Sequence, residues 1–295
     1  MIENLIYAVL SDEEGTCNIA GMLSRYAGKP AIFMQSAPSD KAGTLYPRVD
    51  YTFNRASNDE RKSEGLLTIN VWCKSTGVLP EDIEANIRQM FSNVFIKDSG
   101  ETYCFSWDRN DYFEIDGDAN RNTKSENTLV LGVSLFFDVL AFPLGKVTEP
   151  DPIAAIMDYT SKNYENLHLI GDNDMSSIFR ASDDTPAIYY NISKNERAES
   201  WFLCQWMNVK IQAHIFAASA EKRLELVKQI ADDIARDECV RMRDSSDMRL
   251  IGLNVNMDAN IAKMGQITFI FHYGIPRKNS EAEKLNHVGF SYRKR

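Results

Sequence analysis

Apolar residues open the chain at helical spacing: Ile2, Leu5, Ile6 and Val9 fall at i, i+3, i+4 and i+7. The spacing returns at Ile153, Ile156 and Met157, with Thr160 in the fourth place. Asp151 can cap that second helix, and Pro152 suits its first position. A period of two follows in each half. Leu67, Ile69, Val71 and Cys73 fall at every second position, as do Val209, Ile211, Ala213 and Ile215, so each run reads as a strand. Each leads to an amphipathic helix. The first starts at Pro80 and uses Ile83, Ile87, Phe91 and Val94; the second uses Leu224, Val227, Ala231 and Ile234. Two closing strands are predicted in each half, over 103–115 with an internal turn and 129–142, then over 249–257 and 261–275.

The order helix, strands, helix, strands therefore occurs twice. Residues match within it. Pro47, Val49 and Tyr51 recur as Pro186, Ile188 and Tyr190. Ala31-Ile32-Phe33 resembles Ser177-Ile178-Phe179, and Gly132 with Pro143 recurs as Gly265 with Pro276 at the same separation. That alignment sets Phe136 against Phe269 but leaves Asp138 facing Phe271. The fold class predicted is α+β, as two similar domains, each a mainly antiparallel sheet with helices packed on one face. The domains are residues 1–145 and 151–276, followed by an arm over 277–295. Leu144 to Pro150 joins them and carries the Gly, Pro and charge usual in linkers.

Composition narrows the class. The chain's 295 residues suffice for two ordinary domains, and 44% hydrophobic with 25% charged residues is the balance of a soluble globular protein. No apolar run approaches the ~18 residues of a membrane span, and Met1-Ile2-Glu3-Asn4 does not open a signal peptide. The five Cys include no CxxC pair and read as reduced thiols of an intracellular product. The net charge of −9 is uneven. Residues 1–145 hold 13 basic against 21 acidic residues, and the remainder 20 against 21. Such an acidic first half disfavours tight duplex binding, which needs neutralised phosphates. It does not exclude a surface that DNA passes without adhering.

No catalytic pattern emerges. His168, His214, His272 and His287 are scattered, with no partner at metal-ligand spacing, and no GxSxG, Walker loop or dinucleotide fingerprint is present. Glu114-Ile115-Asp116-Gly117-Asp118-Ala119-Asn120 alternates oxygens like a calcium loop. It lacks that loop's Gly at the sixth place and Glu at the twelfth, so it reads as a tight turn after a strand. Asp108 and Asp111 read as solvated turn residues, and Cys73 and Cys104 as small apolar packing residues. No enzyme, cofactor or metal is predicted. The interaction candidates lie in the arm. There Val288, Phe290 and Tyr292 alternate with Gly289, Ser291 and Arg293 in a stretch holding six basic and two acidic residues. Such a segment can add a strand to the sheet edge of a neighbouring subunit.

Taken together, Ile32-Phe33, the strand after Pro47 with Val49 and Tyr51, the following helix and the closing Phe142-Pro143 strand resemble the tail terminator proteins of long-tailed bacteriophages. Pro186, Ile188 and Tyr190 repeat the likeness, which covers most of both halves and stops at Pro276. Members are single α+β domains of about half this length, so this chain departs from them by carrying two. The resemblance implies a ring-forming structural protein of the virion tail or neck, assembled in the host cytoplasm. It would cap the tail tube and join it to the head. The implied partners are other copies of the chain in a ring of six or three, the tail tube protein, head-tail connector or neck proteins, and DNA passing through the lumen. A membrane is not among them. Two alternatives stand beside it. One is another tube, collar or baseplate component of a phage or phage-like contractile apparatus. The other is a small-molecule enzyme with an interdomain site.

Overall fold

The computed structural model describes residues 2–13, 17–39, 45–58, 60, 63–116, 129–143, 149–171, 175–201 and 204–277. Strand predominates over helix in an α+β fold. The first half runs α1 (Ile2–Leu10), β1 (Arg25–Tyr26), β2 (Lys29–Pro30), β3 (Ile32–Met34), β4 (Arg48–Asn54), β5 (Gly65–Lys74), α2 (Pro80–Phe91), β6 (Val94–Asp98), β7 (Glu101–Asp116) and β8 (Leu129–Phe142). The second runs α3 (Pro152–Asn163), β9 (His168–Leu169), β10 (Ile178–Arg180), β11 (Ala187–Ser200), β12 (Cys204–Phe216), α4 (Ala220–Asp237), β13 (Cys239–Arg241), β14 (Asp247–Val255), α5 (Ile261–Met264) and β15 (Ile267–Pro276). No helix among the described residues is long and apolar enough to cross a membrane.

Two large sheets carry these elements. One has the order β10-β6-β7-β8-β5-β4-β3 and the other β13-β14-β15-β12-β11-β9. Without β10, the orders correspond strand for strand. Neighbours are antiparallel except at one edge of each sheet, where β3 lies parallel to β4 and β9 parallel to β11. The inner face of the first sheet is buried with Ile2, Ile6 and Val9 of α1 and Ile83, Ile87 and Phe91 of α2. The inner face of the second is buried with Ala155 and Ile156 of α3 and Val227, Ile230 and Ile234 of α4. Fully burying one such aliphatic side chain contributes about 1.5–3 kcal/mol.

Local chemistry sets the helix ends. Asp151 caps α3, its carboxylate accepting from the amides of Ile153 and Ala154. Ser219 caps α4 by accepting from Lys222 N–H. Val94, predicted to extend the face of α2, instead opens β6, because Asn93 turns left-handed (φ 56°) and ends the helical path. Both halves thus close with three strands where two were predicted. The segment 261–264 is the short helix α5 and not strand. Asn260 caps it by accepting from Ala262 and Lys263 N–H. Gly265 ends it at φ +66°, where an added Cβ would lie 2.7 Å from the Ala213 carbonyl oxygen.

The ladders correct two of the matches read from sequence. Ile32 pairs with Val49, and the residue beside Ile188 is Leu169. The counterpart of the Ile32-Phe33 strand is therefore β9. Ile178-Phe179 leaves its own half and pairs with β6 of the other sheet. The closing strands slip by one residue. Tyr51, Ile69 and Leu135 form one row across the first sheet, and Tyr190, Ala213 and Ile267 form the equivalent row across the second. Phe269 thus corresponds to the buried Phe137, and Phe271 to the buried Val139. A one-residue slip exchanges the faces of a strand, so the mismatch of Asp138 with Phe271 disappears. The repeated tyrosines do equivalent work. The Tyr51 hydroxyl donates to the Glu3 carbonyl of α1 (3.0 Å), and the Tyr190 hydroxyl shares a hydrogen bond with Thr160 of α3 (2.8 Å). Burial pushes the Tyr51 phenol up to about 12 and the Tyr190 phenol upward as well.

Gly132 lies under the Phe113 ring, which meets Trp72 edge-on at a centroid distance of 4.9 Å. A Cβ there would come within 2.2 Å of that ring and 2.8 Å of the Val71 carbonyl oxygen. Gly132→Ala is expected to lower stability in urea unfolding by roughly 1–3 kcal/mol. Gly21→Ala is the control, with no atom within 4 Å of its added Cβ, and should fall within about 0.5 kcal/mol of the parent.

Candidate assembly interface

The outer faces of the two sheets, away from the helices, meet in a third core. Phe95, Cys104, Leu140 and Phe142 come from β6, β7 and β8; Ala187, Tyr189 and Phe216 come from β11 and β12. Phe95 packs edge-on against Phe216 at 4.8 Å, and Phe142 lies 4.5 Å from Tyr189. Polar groups at the rim are matched. Tyr189 donates to the Pro143 carbonyl (3.1 Å), and Asn93 donates to the Ala217 carbonyl (3.0 Å). Lys263, held by α5, reaches Asp138 at 2.7 Å; the Asp138 side chain is 1% exposed. Ladder register makes Arg48, Asp50 and Trp72 the first-half counterparts of Ala187, Tyr189 and Phe216. The joint is therefore heterologous: the β6–β8 side of one half meets the β11–β12 side of the other.

A strand addition completes the joint. β10 pairs antiparallel with β6, placing Ile178 opposite Ile96, Phe179 opposite Phe95 and Arg180 opposite Val94. Phe179 packs against Phe95 (6.2 Å) and His168 (4.8 Å). The Arg180 guanidinium donates to the carbonyls of Gln89 (3.1 Å) and Met90 (2.8 Å) in the last turn of α2. There the unpaired helix carbonyls favour a cation. Residues 151–276 are thus not self-contained, because three of them belong to the first sheet.

The counterpart patch on the first half is already filled from within. Arg48 lies between the rings of Tyr46 (4.9 Å) and Trp72 (4.7 Å), with its Nε 3.5 Å from the Asp50 carboxylate. Both side chains are buried. Burial outweighs the Arg48 charge and holds the Asp50 pKa above the ordinary carboxylate range.

Beside the joint lies a cleft of about 640 Å³, lined among others by Arg88, Gln89, Asn93, Trp107, Phe216 and Ile261. Arg88 covers the Trp107 ring at 3.9 Å and pairs with the buried Glu84 at 3.2 Å, which also accepts from Tyr112. The Glu84 carboxylate is thus held between the Arg88 guanidinium and the Tyr112 hydroxyl. No group of three or more His, Cys, Asp or Glu suited to a metal occurs among the described residues. His214 lies in β12 with Nδ1 2.6 Å from the Ile261 carbonyl oxygen, and His272 lies in β15, stacked on Trp206 at 4.9 Å. Asp108 and Asp111 both flank Arg109, within β7 and not at a turn. Cys73 and Cys104 are buried, and burial pushes each thiol up to about 12.

The predicted interaction residues Val288, Phe290 and Tyr292 lie outside the described residues, as do 117–120 of the turn after Glu114 and most of the linker. The joint itself was not predicted. Its signal is loss of alternation: Val94-Phe95-Ile96, Val139-Leu140 and Ile215-Phe216-Ala217 are apolar at consecutive positions, as in strands buried on both faces. No family model matches the chain, and no curated protein matches its sequence.

Two outcomes follow from this geometry. Phe142→Ala is expected to cost about 3–5 kcal/mol. It should lower both halves together in one cooperative urea transition, followed by tryptophan fluorescence and far-UV circular dichroism; two separate transitions in the parent would contradict a shared core. The Asp50 pKa is raised on folding, so its contribution is fully present below the unfolded carboxylate pKa and is lost as pH rises through the folded value. Asp50→Asn should therefore gain stability relative to the parent between pH 4 and pH 7, measured as urea midpoints. An unchanged difference across that range would refute the assignment.

Proposed function

We propose that the chain is a structural virion protein: two copies of one α+β domain, fused in tandem, acting as a tail terminator or neck component of a long-tailed bacteriophage. The observation that carries this reading is the joint between the halves. It is a heterologous contact between two sheets of the same strand order, completed by a strand passed from one half to the other. Of its two parts, the strand addition can recur between chains, and heterologous contacts repeated about an axis generate rings. The residue likeness to tail terminator proteins through Pro47, Val49 and Tyr51, and again through Pro186, Ile188 and Tyr190, supplies the class of ring. In this reading the chain caps the tail tube, meets connector or neck proteins on its other side, and works by assembly and not by catalysis. The acidic first half faces the lumen, where like charge keeps passing DNA from adhering.

A second reading, a small-molecule enzyme, is favoured by the cleft of about 640 Å³ beside the joint, a volume in the range of ligand sites. The native subunit count separates the two. Native mass spectrometry and negative-stain electron microscopy of the full chain are expected to give a closed ring of six or three copies. A chain that stays monomeric at every concentration tested would defeat the ring reading.

A further inference from the structure

We infer that the outer edge of β13 is a strand-addition site, and that its occupant is the C-terminal segment Val288–Arg293 of a second copy of the chain. The inference rests on the assembly reading above and specifies its contact.

The first sheet supplies the pattern. β6 is its outermost strand apart from the added β10, and it follows α2 directly. β13 holds the same place in the second sheet and follows α4 directly. The two strands also match in register. Ile96 and Val240 are the buried inward residues, paired with the buried Tyr103 and Met248. Phe95 and Cys239 are the outward ones, paired with Cys104 and Arg249. The edge of β6 is filled by Ile178-Phe179-Arg180. At β13, among the described residues, only β14 is paired. The surroundings match what β10 uses. α4 ends beside β13 as α2 ends beside β6; its last turns carry Asp233, paired with Arg236 at 2.8 Å, and Asp237, which accepts from Tyr159. Ile251, at the bulge of β14, is 55% exposed just past the span that β13 pairs.

The segment shares the aromatic-arginine pair of β10, with Ser291 in the place of Ile178. Tyr292-Arg293 repeats Phe179-Arg180, an aromatic residue followed by arginine, and Phe290 and Val288 continue the alternation. Its basic balance opposes the acidic end of α4. Residues 277–287 link it to β15, and at about 3.3 Å per extended residue that linker reaches on the order of 35 Å; the assembly reading assigns the edge it meets to a second copy. The first half of another chain does not offer the same strand. The stretch standing where β10 stands, between β3 and β4, carries no aromatic residue followed by arginine, and its Leu45 carbonyl already accepts from Arg48.

By register, Tyr292 takes the place of Phe179 and therefore lies opposite Cys239, the counterpart of Phe95. A Tyr292→Cys chain, oxidised with diamide so that two thiols give one disulfide and reduce the reagent, is expected to link the introduced thiol to Cys239. Peptide mass spectrometry should find that link between chains: mixing isotope-labelled and unlabelled protein, assembled together before oxidation, should give mixed pairs. A link confined to one chain overturns the second-copy assignment, and no link to Cys239 overturns the site. Phe290→Asp with Tyr292→Asp should weaken self-association at least about tenfold while leaving the circular dichroism unchanged. If the parent forms a ring but neither result appears, the arm contact fails and the ring reading survives. If the parent is monomeric and Cys239 links within its own chain, both fail.

Discussion

The aromatic core between the two outer faces is the constraint on which the molecule turns. Each sheet has an inner face covered by two helices, and each could in principle leave its outer face to water. Here the outer faces carry Phe95, Leu140 and Phe142 on one side and Tyr189 and Phe216 on the other. Exposed, these side chains would form an apolar patch of the kind that drives association. Packed on each other, they tie two sheets into one body. The polar rim then has to match, and it does so through backbone carbonyls met by Tyr189 and Asn93 and through Lys263 against Asp138.

The ion pair shows how local sequence serves that joint. A buried carboxylate is costly unless a cation is held against it in good geometry. Lys263 stands on a single turn of helix that would be marginal alone. Asn260 caps that turn, and Gly265 closes it where any side chain would strike the Ala213 carbonyl. Strand β10 is a parallel case. Three residues hold it to β6, but Arg180 anchors it on the end of α2 and Phe179 extends the aromatic core.

The inner cores were legible in the sequence because each follows a single period. Helix and strand runs such as Ile83, Ile87 and Phe91, or Leu67, Ile69 and Val71, appear where their spacing puts them. The matched Pro and Tyr positions also hold their expected relation, since Tyr51 and Tyr190 reach equivalent helices. Matches that rested on short likeness were less secure. Gly132 and Gly265 aligned the closing strands one residue out of step, because a glycine needed under an aromatic ring and a glycine needed at a helix end serve different purposes. Ile178-Phe179 looked like a copy of Ile32-Phe33 because both are short edge strands that carry the same apolar pair. Which sheet such a strand joins is decided by tertiary packing. The joint went unread for a related reason: burial on both faces removes the alternation by which a strand is recognised.

Divergence between the halves explains why the face-to-face packing occurs once within a chain. A further copy of it would need a second patch like Ala187, Tyr189 and Phe216, but the first half carries Arg48, Asp50 and Trp72 there. Arg48 and Asp50 are already buried together between aromatic rings. Opening that arrangement to admit another sheet would separate a buried pair from its partners, and breaking such a pair costs about 3–5 kcal/mol. On the other side, the positions of Leu140 and Phe142 become His272 and Gly274 in β15, and neither offers the same apolar bulk. Edge pairing is subject to neither obstacle. It draws on main-chain hydrogen bonds that every residue except proline can make, so sequence divergence between the copies leaves it intact. In the proposed assembly, a chain whose aromatic outer patches pack on each other internally would meet its neighbours through a strand edge such as that of β13.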